Sequence, residues 1–254
     1  MIFPKFLRIR LKVILNLMNS LFYMFKSINS FQKFFFIIKN FLILINSEKL
    51  ILEGSTFSKN EKIYYEGKYT FKYDDWFSKN IPIWKFFLPK IFSKDKKINY
   101  LEIGSFEGRS CLFICENFKE ANIVAVDTFK GKGKHNIDFK CVLDNFLNNT
   151  NEYKNRINLN ITNSKNFFEN NNEKFDLIYI DGSHDMEDVK ADCENALKFL
   201  NNKSILILDD FLWNGYDDVK KNPISAIIPF IIKNQKNIEI LYMNYQVILK
   251  INKI

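Results

Sequence analysis

The chain has 254 residues, 47% hydrophobic and 26% charged, which suits one or at most two globular units with a sizeable core. Its net charge of +8 is unevenly spread: residues 1–50 carry eight Lys or Arg against the single acid Glu48, and the rest carries 29 basic and 28 acidic residues. A nearly neutral body argues against a nucleic-acid enzyme, whose basic footprint usually lies on the catalytic domain, and no nucleic-acid partner is expected. The four cysteines, Cys111, Cys115, Cys141 and Cys193, form no CxxC pair and no zinc-like spacing with histidine. They read as buried apolar residues of a reducing, cytoplasmic compartment.

Residues 1–46 are apolar and basic and predict a helical extension. The longest uncharged stretch, Val13–Phe25, falls short of the roughly 20 residues that span a bilayer. A second apolar run, Phe34–Ile45, is interrupted by Lys39. A signal peptide is not expected, because no small-residue cleavage site follows the charged region Lys5–Lys12. Lys5, Arg8, Lys12, Asn16, Asn19, Lys26, Ser30 and Lys33 recur at three- or four-residue steps, missing one beat at Tyr23, and form a narrow polar and basic stripe on a helix. Two readings stand side by side: peripheral contact with an anionic membrane at its inner face, or packing on the catalytic domain or on a second subunit of a homodimer. Residues 47–97 form a mixed lead-in and cap region. Within it, "DDWFSKNIPIWKFFLPK" (Asp74–Lys90) predicts a short helix broken by Pro82 and Pro89.

From Ile98 the pattern changes to short apolar runs alternating with amphipathic stretches. Candidate strands are 98–103, 122–127, 156–161, 175–180, 203–208, 237–242 and 245–251; candidate helices lie near 108–119, 136–148, 164–170, 185–200 and 222–234. This rhythm predicts an α/β fold, a mostly parallel sheet with helices on both faces. Met243 and Asn244 alone separate the last two strands, too little for a crossover, so those strands form an antiparallel hairpin. In such sheets ligands bind at the carboxyl ends of the strands.

The loops at that edge carry the polar signals. "YLEIGSFEGRS" (Tyr100–Ser110) puts Gly104 and Gly108 between a strand and a helix, where glycine permits a sharp turn and close ligand approach. The second strand ends "IVAVDTF" at Asp127. An acid about twenty residues beyond a glycine loop accepts hydrogen bonds from ribose hydroxyls, or else caps the next loop. The fourth strand ends at Asp181 and continues through Gly182, Ser183 and His184 into a helix that Ser183 or Asp185 can cap. His184 is the candidate general base, because imidazole titrates near neutrality and a helix N-terminus keeps it neutral. The fifth strand ends with Asp209 and Asp210. Asp181, Asp209 and Asp210 meet at one sheet edge, where they either bind a divalent cation such as Mg²⁺ or divide between ligand binding, capping and solvation.

The assembly "LEIGSFEGRS … VAVDTF … FDLIYIDGSHDMEDVKAD … LILDDF" resembles the class I S-adenosylmethionine (SAM)-dependent methyltransferases, and more narrowly the bacterial group known as methyltransferase domain 24. By motif the resemblance runs from Asp74 to Trp213, and by pattern to the C-terminus. It divides the chain into 1–46, 47–97 and a Rossmann-like methyltransferase domain over 98–254. Phe106 stands where the common pattern has a middle glycine. The run Glu102-x-Gly104-x-Phe106-x-Gly108-x-Ser110 is similar to the loop of catechol and caffeoyl-CoA type O-methyltransferases. Those enzymes bind a divalent metal through an Asp after strand four and an Asp-Asn pair after strand five. Asp181 and Asp209 match, Asp210 replaces the Asn, and His184 replaces a catalytic Lys. Asn202-Lys203 replaces a Gly-Gly pair before strand five and reads as a changed turn.

The resemblance implies SAM bound across the first loop. Glu102, Gly104 and Ser105 would hold its amino-acid portion, with Phe106, Gly108 and Ser110 completing the cradle. Asp127, with Thr128 beside it, would hold the ribose, Ser164 would approach the adenine, and Asp181 would close the site. The implied reaction is SN2 methyl transfer, and a small-molecule or glycan hydroxyl is the expected acceptor. His184, or a metal-bound cluster of Asp181, Asp209 and Asp210, would remove the acceptor's proton. The competing expectations are an RNA or protein acceptor, and a non-catalytic SAM-binding membrane protein.

Overall fold

Alternating apolar runs and amphipathic stretches build one seven-stranded sheet: β1 (Asn99–Ile103), β2 (Asn122–Asp127), β3 (Ile157–Ile161), β4 (Phe175–Ile180), β5 (Leu200–Leu208), β6 (Ile238–Met243) and β7 (Val247–Ile251). The computed structural model describes residues 5–48, 50, 67–93, 95–131 and 137–252, with side chains from Ile14 onward. The strand order is β3-β2-β1-β4-β5-β7-β6. Strands β1 to β5 are parallel, and β7 runs antiparallel between β5 and β6. The order reverses between β1 and β4, which opens a crevice beyond their carboxyl ends.

The helices are α1 (Lys5–Lys26), α2 (Phe31–Lys39), α3 (Ile81–Ile91), α4 (Arg109–Asn117), α5 (Phe139–Thr150), α6 (Ser164–Asn170), α7 (Met186–Phe199) and α8 (Ile224–Asn234). Strand residues alternate between two buried layers, as a period of two requires. Leu101, Ile103, Val124, Ile178 and Leu206 meet α7 and α8 through Val189, Cys193 and Ile227, and α1 and α2 through Met24 and Ile37. Tyr100, Ala125, Leu177, Tyr179 and Ile207 meet α3, α4 and α5 through Trp84, Leu112 and Phe146. The cysteines are free; Cys111, Cys115 and Cys193 are buried and Cys141 is half-buried.

Three local expectations change. The polar stripe does not run along one continuous helix, because the chain breaks between α1 and α2, where the Ser30 side chain accepts from Lys33 N and caps α2. Asn19, Lys26 and Ser30 are exposed but Lys33 is buried; the side chains of Lys5, Arg8 and Lys12 lie outside the described ones. Pro82 and Pro89 do not break α3: Pro82 sits in its first turn, where no amide partner is needed, and Pro89 in its last. The hairpin connection is Asn244, Tyr245 and Gln246, one residue longer than expected, closed by Asn244 N donating to Gln246 O. Lys203, in the place of the usual glycine pair, adopts φ +61° inside β5, where the β4–β5 register shifts.

Candidate active site

The loop between β1 and α4 is held from three sides. Gly104 has φ +90°, and a Cβ there would lie 2.0 Å from the Asp181 carbonyl oxygen, so only glycine lets this loop cross the end of β4. Gly108, at φ +85°, starts α4. Phe106 also takes a positive φ, and its amide donates to Asp127 Oδ2 at 2.9 Å. Phe129 N donates to Asp127 Oδ1 at 2.7 Å, so one carboxylate ties the first two loops of the crevice together. The Ser105 hydroxyl is buried and has no hydrogen-bond partner.

Glu102 and Ser110 occupy the floor. Glu102 is fully buried, and its carboxylate accepts from Tyr100 Oη at 2.6 Å, from Ser110 Oγ and from Cys111 Sγ at 3.2 Å. Burial pushes its pKa up to about 7. These bonds brace the start of α4 from below. Thr128 turns to its own backbone, accepting from Lys130 N and donating to Lys130 O. Ser164 opens α6 and hydrogen-bonds Asp192 of α7, a carboxyl that burial raises to about 6.

Asp181 and Asp209 lie on neighbouring strand ends with Tyr179 between them. The Tyr179 hydroxyl bonds Asp181 Oδ2 at 2.8 Å and also Asp209 Oδ2. Burial raises both carboxyl pKa values, and the neighbouring carboxylates raise them further. The Tyr179 hydroxyl thus bridges the two carboxyl groups. Gln246 Nε2 donates to Asp209 at 2.8 Å, and Trp84 Nε1 donates to Gln246 Oε1 at 3.0 Å. Sequence reading missed Tyr179, Gln246 and Trp84, which sit within apolar or hairpin runs.

His184 and Asp210 face each other across this cluster. His184 Nε2 is 2.8 Å from Asp210 Oδ2, and the imidazole stacks on Trp213 at 4.6 Å between ring centres. Burial by itself would lower the His184 pKa, but the Asp210 hydrogen bond and the charges of Asp210 and Asp209 carry it above the ordinary value. This reverses the expected effect of the helix N-terminus, because Asp185 caps α7 and His184 lies outside it. Asp210 reaches its position with φ +58°, directly after β5.

Asp181, Asp209 and Asp210, the expected metal ligands, come together at the ends of β4 and β5, where each already has protein partners. Asp181 and Asp209 are engaged by the Tyr179 hydroxyl, Asp209 by Gln246 and the Asp210 amide, and Asp210 by His184. Among the described residues no group of three or more His, Cys, Asp or Glu is arranged to hold a metal ion.

The lead-in covers the glycine loop through residues that sequence reading also missed. Glu107 is buried and accepts from Lys72 N at 2.8 Å, Tyr73 N at 3.3 Å and Asn145 Nδ2 at 2.7 Å. Asn149 pairs with both backbone groups of Thr70. Tyr73 and Trp76 then lie against the Phe106 ring at 5.8 and 5.1 Å. The aromatic at 106 therefore joins the glycine loop to the lead-in.

This sheet order with its C-terminal hairpin is a Rossmann-like methyltransferase fold. Residues 101–211 match the family described as "Methyltransferase domain", and the chain carries a SAM-dependent methyltransferase domain. None of the curated proteins matches it. Similar solved structures include a protein assigned as a caffeoyl-CoA O-methyltransferase from Staphylococcus aureus, at 17% identity over 82% of this chain and 100% of that one, with a TM-score of 0.51. A protein assigned as an rRNA-methylase from Clostridium thermocellum has 12% identity over 72% and 100%, with a TM-score of 0.50. The MycE methyltransferase of the mycinamycin biosynthetic pathway, in complex with Mg and S-adenosylhomocysteine, has 14% identity over 89% and 62%, with a TM-score of 0.53. At these identities the likeness is one of fold.

Proposed function

We propose that the protein methylates a hydroxyl of a small molecule or glycan, with His184 as a general base oriented by Asp210. The 2.8 Å pair of His184 and Asp210 carries this reading. It joins two of the positions at which the chain departs from the metal-dependent O-methyltransferase pattern. With Nε2–H directed at Asp210, Nδ1 is left to accept the acceptor's proton. Bound SAM would supply the electrophilic methyl carbon, and His184 would hold the proton released from the acceptor oxygen.

The residues fit SAM. Gly104 brings backbone against the crevice, the unpartnered Ser105 hydroxyl can meet its amino-acid portion, and Asp127 retains lone pairs for ribose. Glu102 and Ser110 act from beneath the loop, and Phe106 and Gly108 shape it. We assign the chemistry to 98–254 and part of the acceptor cap to 47–97, of which 51–66 lie outside the described residues, as do 132–136 in the neighbouring loop.

His184→Ala should cut turnover by roughly 10²–10⁴, the span for a lost general base, with SAM affinity unchanged in calorimetry. Turnover should also survive chelation, because the carboxylates are held by protein donors. Near-normal turnover of His184→Ala rules out the base, and loss of activity with chelator rules out the metal-free reading.

A further inference from the structure

We infer that the outer face of α1 and α2 docks on an anionic lipid bilayer. Of the sixteen exposed large hydrophobic residues among those described, eleven lie between Ile14 and Leu42. Met18, Phe22 and Phe25 on α1, and Phe31, Phe35 and Ile38 on α2, recur at the same i, i+4, i+7 spacing, so each helix presents an apolar stripe outward. Phe25 and Phe34 approach to 6.4 Å between ring centres and join the two stripes. Some polar groups turn inward: Ser20, Ser27, Lys33 and Asn40 are buried, while Asn19, Lys26, Ser30 and Lys39 are exposed beside the apolar stripes. A surface helix in water keeps its apolar stripe inward.

The occupant follows from length and charge. No helix among the described residues is long and apolar enough to cross a membrane, so these helices lie along a surface. Residues 1–50 carry a net +7 while the remainder carries +1. A two-fold dimer through this face would bring two such segments together, against their mutual repulsion; anionic headgroups neutralise them. Exposed Lys26 and Lys39 flank the apolar stripes, and Lys26 Nζ sits 4.6 Å from the centre of the Phe22 ring, so charge and apolar surface face the same side.

The same helix touches the residue that stacks on His184. Tyr23, next to Phe22, donates from its hydroxyl to the Trp213 carbonyl at 2.7 Å, and Trp213 stacks on His184. Docking therefore links the bilayer-bound helix to His184 through Tyr23 and Trp213. An acceptor hydroxyl carried at the membrane surface suits this placement. That second step rests on the assignment of His184 above; the docking itself does not.

Flotation of the full chain with phosphatidylcholine vesicles, with and without phosphatidylglycerol, tests the docking with no acceptor present. Binding should require phosphatidylglycerol and weaken with salt, because exposed charges are screened. The double variant Phe22→Ser with Phe35→Ser, both exposed, should bind at least about tenfold more weakly, since it withdraws two apolar side chains from the lipid. Its SAM affinity and circular dichroism should match the parent. Three results each overturn the docking: no flotation, equal flotation with neutral vesicles, or a dimer that the double variant dissociates while vesicle binding is absent.

Discussion

At the scale of single residues, two departures from a familiar pattern explain one another. Histidine in place of lysine at 184 and aspartate in place of asparagine at 210 are separate oddities along the chain, and a 2.8 Å contact in space. The sequence displayed the residues but not their pairing, because the contact joins loops after different strands. Tyr179 was illegible for another reason: inside the run FDLIYI it looks like a core aromatic, and only its hydroxyl, reaching Asp181 and Asp209, shows otherwise. The pair has a testable sign. A base must be unprotonated, so kcat/KM should rise with pH through a midpoint above the ordinary His value. Asp210→Asn removes the carboxylate that raises the His184 pKa and leaves the burial that lowers it. Its pH–rate midpoint should therefore move to lower pH, and its plateau should fall because the imidazole is less well oriented. A fallen plateau with an unmoved midpoint would leave Asp210 a merely structural residue. The same linkage makes this pair's contribution to stability fullest below the unfolded His pKa and lost as pH rises through the folded one.

At the scale of elements, the strands were the most legible part. Their apolar runs are short and bounded by turn residues, and every expected strand of 98–254 appears within a few residues of its place. Helix boundaries in the N-terminal half were less legible. Leu, Ile and Phe surround α1 and α2 almost completely, so periodicity could not show where the helix breaks or which side packs. Loop coupling was also hidden: Asp127 read as a ribose ligand, yet its two oxygens already accept from Phe106 N and Phe129 N. This dual duty sharpens what substitution should do. Asp127→Ala removes the ribose acceptor and both amide acceptors, so calorimetry should find SAM affinity lowered by at least about tenfold, the effect of one lost hydrogen bond to a charged group. Asp127→Asn keeps one acceptor oxygen and should fall between alanine and the parent. Equal affinity in all three proteins would remove Asp127 from the cofactor site.

At the scale of the whole molecule, the N-terminal helices pack on the methyltransferase domain, one of the two sequence readings. Their inner side packs while their outer side remains apolar and exposed, because residues apolar all round a helix leave enough for two interfaces. Met24, Ile37 and Leu44 belong to the same buried cluster as Leu206 and Leu208 of the sheet. The 41–48 stretch is fastened to the β6–β7 turn, where Ser47 Oγ accepts from Met243 N at 2.9 Å and Glu48 accepts from Asn244. Charge and composition marked residues 1–46 as separate, but composition carries no information about which side chains share a core. The cluster predicts that the extension and the sheet unfold together. Met24→Ala, at a position 1% exposed, should cost about 2–5 kcal/mol, the range for emptying a packed site. Phe35→Ser, at a position 52% exposed, should stay within about 0.5 kcal/mol of the parent. Denaturant melts followed by Trp fluorescence and by far-ultraviolet circular dichroism should coincide in each protein, as one cooperative transition requires. If Met24→Ala instead yields an early transition in circular dichroism alone, the extension is a separately folding unit resting on the methyltransferase domain.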